Sequence, residues 1–148
     1  MLIEQIRTDL VTATKAKDTV AQRTLRSVIA AVQEAEVSGD EAVKLDDAGV
    51  QAVVKAQVKR RMDAAEAFTS GGATERADAE RAEMAILEGY LPAALGQDEL
   101  DAIVSSVFAE HGFASPSDMG AAMKAVNAEV AGRADGRTVA DLVKSRLA

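Results

Sequence analysis

The sequence predicts an all-α protein in two parts: an N-terminal helical domain over residues 1–92 and a small three-helix C-terminal domain over residues 97–148. Three observations carry that expectation. Apolar residues recur at spacings of three and four along most of the chain. No run of β-branched or aromatic residues alternates over the length a strand needs, and the plentiful valines fall at helical spacing. The heaviest punctuation is Tyr90-Leu91-Pro92-Ala93-Ala94-Leu95-Gly96, where Pro92 biases Leu91 away from helical geometry and Gly96 adds a second breaker.

The elements follow in order. Leu2, Ile3, Ile6, Leu10 and Ala13 mark a first helix running to about Lys17, with Asp18 as the N-cap of the next. From Thr19 to Ser38 the stripe is Leu25, Val28, Ile29, Val32 and Ala35, stopping at Gly39. So short a turn between the two predicts an antiparallel hairpin. Asp46 or Asp47 caps a long helix with Val50, Val53, Val54, Val58, Met62, Ala65 and Phe68 on one side. Lys55, Lys59, Arg60 and Arg61 are expected on its opposite flank. Gly71-Gly72 ends it, and Thr74 is expected to cap a fourth helix through Met84, Ile86, Leu87 and Tyr90.

The C-terminal part opens near Gln97 or Asp98 with a helix containing Leu100, Ile103, Val104, Val107 and Phe108. Gly112 is placed just past its end, letting Phe113 fold back on Phe108. Ser115-Pro116-Ser117-Asp118 has the grammar of a helix start. Met119, Met123, Val126 and Val130 then share one face. Gly132 suits the left-handed position past that helix, and Asp135 or Thr138 caps the last one, which holds Val139, Leu142, Val143 and Leu147.

Composition bounds the chemistry. The 148 residues contain no cysteine, one histidine and 3% aromatics, with a net charge of −7. Disulfides and thiolate chemistry are excluded, and the usual transition-metal ligand sets are missing. The acidity is regional. Residues 71–100 carry two bases (Arg76, Arg81) against seven acids, whereas residues 119–148 carry five bases against three acids. The first residues hold acid and base close together and no long apolar run, so neither a secretory signal nor a membrane span is expected. A cytoplasmic location is the expectation, with no membrane and no DNA as partner.

No catalytic constellation stands out. His111 lacks a recognisable nucleophile or orienting partner, and its place in a last helical turn suits capping and the helix dipole. Asp46-Asp47 is not a calcium loop and reads as capping. Gly132-x-x-x-Gly136 has no preceding strand and no Gly-Lys-Ser/Thr, so it is not a nucleotide loop. No cofactor or metal is expected. The cations remain. Lys55, Lys59, Arg60 and Arg61 form the densest positive cluster and read either as a solvated face balanced by Asp63 and Glu66 or as contacts to RNA phosphate or an acidic partner. Lys124, Arg133, Arg137, Lys144 and Arg146 are sparser. Arg133 and Arg137 flank a turn and a helix N-terminus, where backbone N–H groups also favour phosphate.

Four stretches carry a resemblance: Leu25-Arg26-Ser27-Val28-Ile29-Ala30-Ala31, the run Ala82-Glu83-Met84-Ala85-Ile86-Leu87-Glu88-Gly89-Tyr90-Leu91-Pro92, Asp118-Met119-Gly120-Ala121-Ala122-Met123, and Gly132-Arg133-Ala134-Asp135-Gly136. In this order and spacing the chain resembles a stand-alone member of the GatB/YqeY family over nearly its whole length. The resemblance implies a C-terminal domain similar to the tail of the B subunit of tRNA-dependent amidotransferases, a tRNA-binding appendage related to tails on some glutaminyl-tRNA synthetases. The family is classed with carbon–nitrogen ligases that use glutamine as amide donor. Neither a kinase-like phosphorylating domain nor a glutaminase is recognisable here.

Carried over residue by residue, the tail motif puts Gly132, Arg133 and Gly136 in the turn and Arg137 and Lys144 on the following helix. Where the family pattern often has lysines along the preceding helix, Ala125, Ala128 and Glu129 leave Lys124 nearly alone. The expected function is weak tRNA binding without catalysis of its own, with an aminoacyl-tRNA synthetase or amidotransferase subunit as a further partner. Two rivals are a helical protein-interaction module docking on a translation-related partner, favoured by net acidity and few stacking aromatics, and an enzyme that itself ligates ammonia from glutamine.

Overall fold

A computed structural model describes all of residues 1–148. It contains seven α-helices, one 3₁₀ turn and no strand. The chain forms two compact units, Met1–Leu91 and Pro92–Ala148.

The first unit holds α1 (Leu2–Lys15), α2 (Thr19–Val37), α3 (Asp47–Ser70) and α4 (Thr74–Glu88). Its core is Ile3, Ile6, Leu25, Val28, Val32, Val50, Val54 and Leu87. Each fully buried aliphatic side chain of this kind contributes about 1.5–3 kcal/mol relative to exposure. Local chemistry sets the helix boundaries. Asp18 accepts the Ala21 N–H at 3.0 Å, so the predicted cap of α2 is present. Asp46 accepts the Gly49 N–H at 2.8 Å and caps α3, while Asp47 accepts the Leu2 N–H at 2.8 Å, pinning the start of α1 to the start of α3.

Two of the four helix ends in this unit, those of α1 and α3, use the left-handed conformation. Gly72, at φ 77°, follows α3, and the Ala73 N–H reaches back to the Phe68 carbonyl at 2.8 Å. The same hydrogen-bond pattern ends α1, but with Lys17 at φ 56°, where a glycine is the usual occupant. Lys17 therefore stands two residues past α1, which stops at Lys15. Thr74 does not cap α4: Ala73 holds the N-cap position without a side-chain acceptor, and Thr74 is the first helical residue. The sequence Gly71-Gly72-Ala73 uses up the turn before Thr74 can serve.

The second correction concerns which face α3 buries. The buried residues are Val50, Val54, Gln57, Arg61 and Ala65, at spacings of four, three, four and four. Met62, expected inside, is 42% exposed, and Arg61, expected on the solvated flank, is 9% exposed. The helix is turned so that two polar side chains lie on its inner stripe: Glu83 and Ser27 supply partners for Arg61, and Arg61 in turn donates to the Gln57 side-chain oxygen.

The second unit holds α5 (Gln97–His111), a 3₁₀ turn (Pro116–Asp118), α6 (Met119–Val130) and α7 (Gly136–Leu147). Leu100, Val104, Val107, Ala122, Val126, Val130, Val139, Val143 and Leu147 form its core. Glu99 accepts the Gly96 N–H at 2.9 Å, fixing the start of α5. Gly112 ends that helix at φ 71°, and Phe113 meets Phe108 edge-on with ring centroids 5.8 Å apart, as the sequence predicts. Asp118 accepts N–H groups from Ala114 (2.9 Å) and Ser115 (3.0 Å), tightening the turn before α6.

Candidate functional site

The turn between α6 and α7 is the most constrained backbone in the second unit. Two consecutive residues, Ala131 (φ 49°) and Gly132 (φ 77°), are left-handed. Gly132 is where the sequence places such a residue; Ala131 is an addition, and a Cβ there costs about 1 kcal/mol or more. Asp135 then accepts the Thr138 N–H at 3.2 Å and caps α7, one of the two caps the sequence allowed.

Arg133 closes this turn rather than facing outward freely. Its Nε donates to the Val130 carbonyl at 3.0 Å and its Nη2 to the Glu129 carbonyl at 2.9 Å, satisfying two carbonyls that the end of α6 leaves without helical partners. Its own carbonyl accepts the Leu95 N–H at 2.8 Å, joining the segment before α5 to the turn. A guanidinium so engaged is half-buried and keeps only part of its donor edge for a ligand.

The other cations divide in the same way. Arg146 donates to Ser105 Oγ at 2.8 Å and lies 3.9 Å from Asp101, so it links α7 to α5. Lys59 pairs with Asp63 at 3.3 Å, both exposed, an i,i+4 contact contributing under about 1 kcal/mol. Lys55 is exposed on the same helix and also has an interaction partner. Lys124, Arg137, Lys144 and, in the first unit, Arg60 are exposed and form no salt bridge. Arg137 and Lys144 are two helical turns apart and share one face of α7. Asp141 lies between them at i+4 from Arg137, so that face carries two positive charges and one negative.

His111 has an identifiable structural place. Its Nδ1 lies 3.1 Å from the Val107 carbonyl, and its ring stacks on Phe113 with centroids 5.2 Å apart and planes 6° from parallel. No group of three or more His, Asp or Glu side chains converges in the manner of metal ligands.

Sequence reasoning did not find two further features. In the first unit, Arg61 donates to Glu83 Oε2 (3.0 Å), to the Gln57 carbonyl and side-chain oxygens (3.2 and 2.9 Å) and to Ser27 Oγ (3.3 Å). Arg23 takes the other Glu83 oxygen at 2.7 Å. The available signal was the row 50-54-57-61-65, a helical stripe with two polar members. In the second unit, Pro116, Met119, Lys144, Leu147 and Ala148 line an open groove of about 310 Å³ that is apolar except for the lysine.

The fold and site thus define a class: an all-α protein of two helical units with unpaired cations on the second and a buried charge network in the first. The chain belongs to the family described as Yqey-like protein, whose model matches residues 3–147. It is also similar to the protein named "Altered inheritance of mitochondria protein 41, mitochondrial" of Meyerozyma guilliermondii, with 31% identity over 116 residues covering 74% of this chain. The match spans 60% of that relative's length. No helix here is long and apolar enough to cross a membrane.

Proposed function

We propose that this protein is a tRNA-binding accessory protein of the amidotransferase-tail type, acting in the cytosol and holding RNA without transforming it. The single observation that carries the reading is the pair Arg137 and Lys144, exposed on one face of α7 and free of salt bridges. Lys124 on α6 is a third available cation, and residues 97–148 form the tail-like domain in this reading. Arg133 contributes mainly by holding the turn that starts α7, and Arg146 by holding α7 against α5. Lys55, Lys59 and Arg60 are secondary contacts. An aminoacyl-tRNA synthetase or amidotransferase subunit is the natural source of charged tRNA for such a protein.

Three phosphate contacts give weak, salt-sensitive binding, with a log–log salt slope near −3. Filter binding of total tRNA at low and moderate salt tests this. The slope should fall by about one for each of Arg137→Ala and Lys144→Ala. Undetectable binding at low salt, or a slope that ignores both substitutions, removes the reading. The protein-docking alternative is favoured by one observation, the apolar groove beside Lys144.

A further inference from the structure

We propose that the open face of the His111 ring is a stacking platform for an unpaired RNA base, such as a loop nucleotide turned out of its helix. The second unit has three aromatic rings, Phe108, His111 and Phe113, and they meet at the end of α5. Phe113 stands edge-on to Phe108 with centroids 5.8 Å apart, and the His111 ring lies on Phe113 at 5.2 Å, 6° from parallel. The His111 Nδ1 is 3.1 Å from the Val107 carbonyl; a carbonyl only accepts, so Nδ1 carries a proton and donates there. Two contacts thus fix the imidazole plane before any ligand arrives, which spares the rotamer entropy that a free side chain would lose on binding.

The helix end does not require this imidazole. Gly112, at φ 71°, closes α5 by donating its N–H to the Phe108 carbonyl at 2.8 Å, and Phe113 folds back on Phe108. His111 is added outside that closure. Phe113 covers one face of the ring, yet the residue is exposed and no other ring or polar group meets it, so the second face is open to solvent. A flat π surface held in place and backed by a parallel ring suits an unstacked base, and histidine is among the side chains on which such bases stack. Phosphate is not drawn to this end of α5, where Glu110 is exposed and the helix dipole is negative. An uncharged base meets no such repulsion. The proposal rests on the tRNA reading and deepens it: the cations hold the backbone, and the ring selects an unpaired nucleotide.

The test follows the ¹⁵N-labelled full chain by NMR with the tetranucleotides r(AAAA) and r(UUUU), each up to ~5 mM, where weak binding is visible. Adenine should move the His111 Hδ2 and Hε1 resonances upfield, the ring-current mark of a base lying over the imidazole. Uracil, with the smaller π face, should bind more weakly. His111→Ala should weaken r(AAAA) at least about fivefold, the low end of what one stacked base contributes, and His111→Phe, which keeps a flat face, should retain binding. The position is exposed, so both variants keep the fold. Total tRNA should bind His111→Ala more weakly with an unchanged salt slope, because no phosphate contact is lost. Ring protons that do not move upfield, a His111→Ala variant that binds as tightly as the parent, or a His111→Phe variant as weak as His111→Ala overturns the proposal. Larger ring shifts with acetyl-Gly-Arg-Gly-amide than with r(AAAA) would assign the face to a guanidinium of a partner protein and overturn it too. In each of these cases, tRNA binding that still weakens in Arg137→Ala leaves the tRNA reading standing, whereas no tRNA binding at low salt removes both.

Discussion

Arg61 Nε lies 3.0 Å from Glu83 Oε2, and the two side chains are only 10% and 12% exposed. This pair bridges α3 and α4, and through the second Glu83 oxygen and Ser27 it also reaches α2. Two charges taken this far from water hold only while each has its partners, because either one alone keeps the desolvation cost without the compensating attraction.

Glu83→Ala is therefore expected to destabilise the protein by about 3 kcal/mol, measured by urea denaturation. Arg61→Ala should cost a similar amount. The double substitution Arg61→Met, Glu83→Leu should recover much of the loss, since an apolar pair of like volume does not need the network. A double variant as unstable as the sum of the singles would contradict this account.

Tyr90 donates to Asp9 Oδ2 at 2.5 Å, and burial first, then the Asp9 hydrogen bond and charge, raise its phenol above the ordinary tyrosine value of 10.0. A raised folded-state value means that the contribution to stability is complete below about pH 10 and is lost as pH rises through the folded value. Because the sequence has one tyrosine and no tryptophan, ultraviolet absorbance reads this group alone. Native protein should remain un-ionised at a pH where the urea-unfolded chain is half-ionised. Tyr90→Phe should cost about 1.5–3 kcal/mol at neutral pH.

Ala131 and Gly132 give opposite expectations in one turn. Ala131→Gly relieves a Cβ at φ 49° and should raise stability by up to about 1 kcal/mol. Gly132→Ala places a Cβ at φ 77° and should lower stability by about 1 kcal/mol or more. Thermal melts of both variants check the pair, and equal shifts in the same direction would rule out the turn geometry.

The cations should separate by role. Arg133→Ala removes two hydrogen bonds to carbonyls at the end of α6 and should lower the melting temperature, at about 0.5–1.5 kcal/mol per bond. Arg137→Ala and Lys144→Ala should leave the melt within about 0.5 kcal/mol of the parent, because neither side chain is tied to the fold. A melt in which Arg137→Ala costs as much as Arg133→Ala would overturn this division.

Asp118 sits below the usual carboxylate range because the Ala114 and Ser115 N–H groups point at it. A depressed value stabilises the turn above the unfolded carboxylate range and releases it as pH falls through the folded value. Amide exchange at Ala114 and Ser115 should quicken in acid in step with the Asp118 titration followed by NMR. Asp118→Ala should abolish that acid dependence.

Much of the architecture was legible in the chain because helix ends are local problems. Asp18, Asp46 and Asp135 cap within three residues of themselves, and Gly72, Gly112 and Gly132 relieve a backbone constraint at their own positions. No distant partner is needed to read them. The face that α3 buries was not legible, because Arg61 is inside only by virtue of Glu83, 22 residues away, and Ser27, 34 residues away. The same holds for the cations. Sequence alone marked Lys124, Arg133, Arg137, Lys144 and Arg146 together as candidate RNA contacts, with Arg133 and Arg137 set apart only by flanking a turn. Arg133 joins the scaffold through carbonyls three and four residues back in its own turn, a local arrangement. Arg146 does so only because packing brings Ser105, 41 residues away, within reach, a distance the linear order of residues does not record. Arg137 and Lys144 meet no such partner and stay open to solvent.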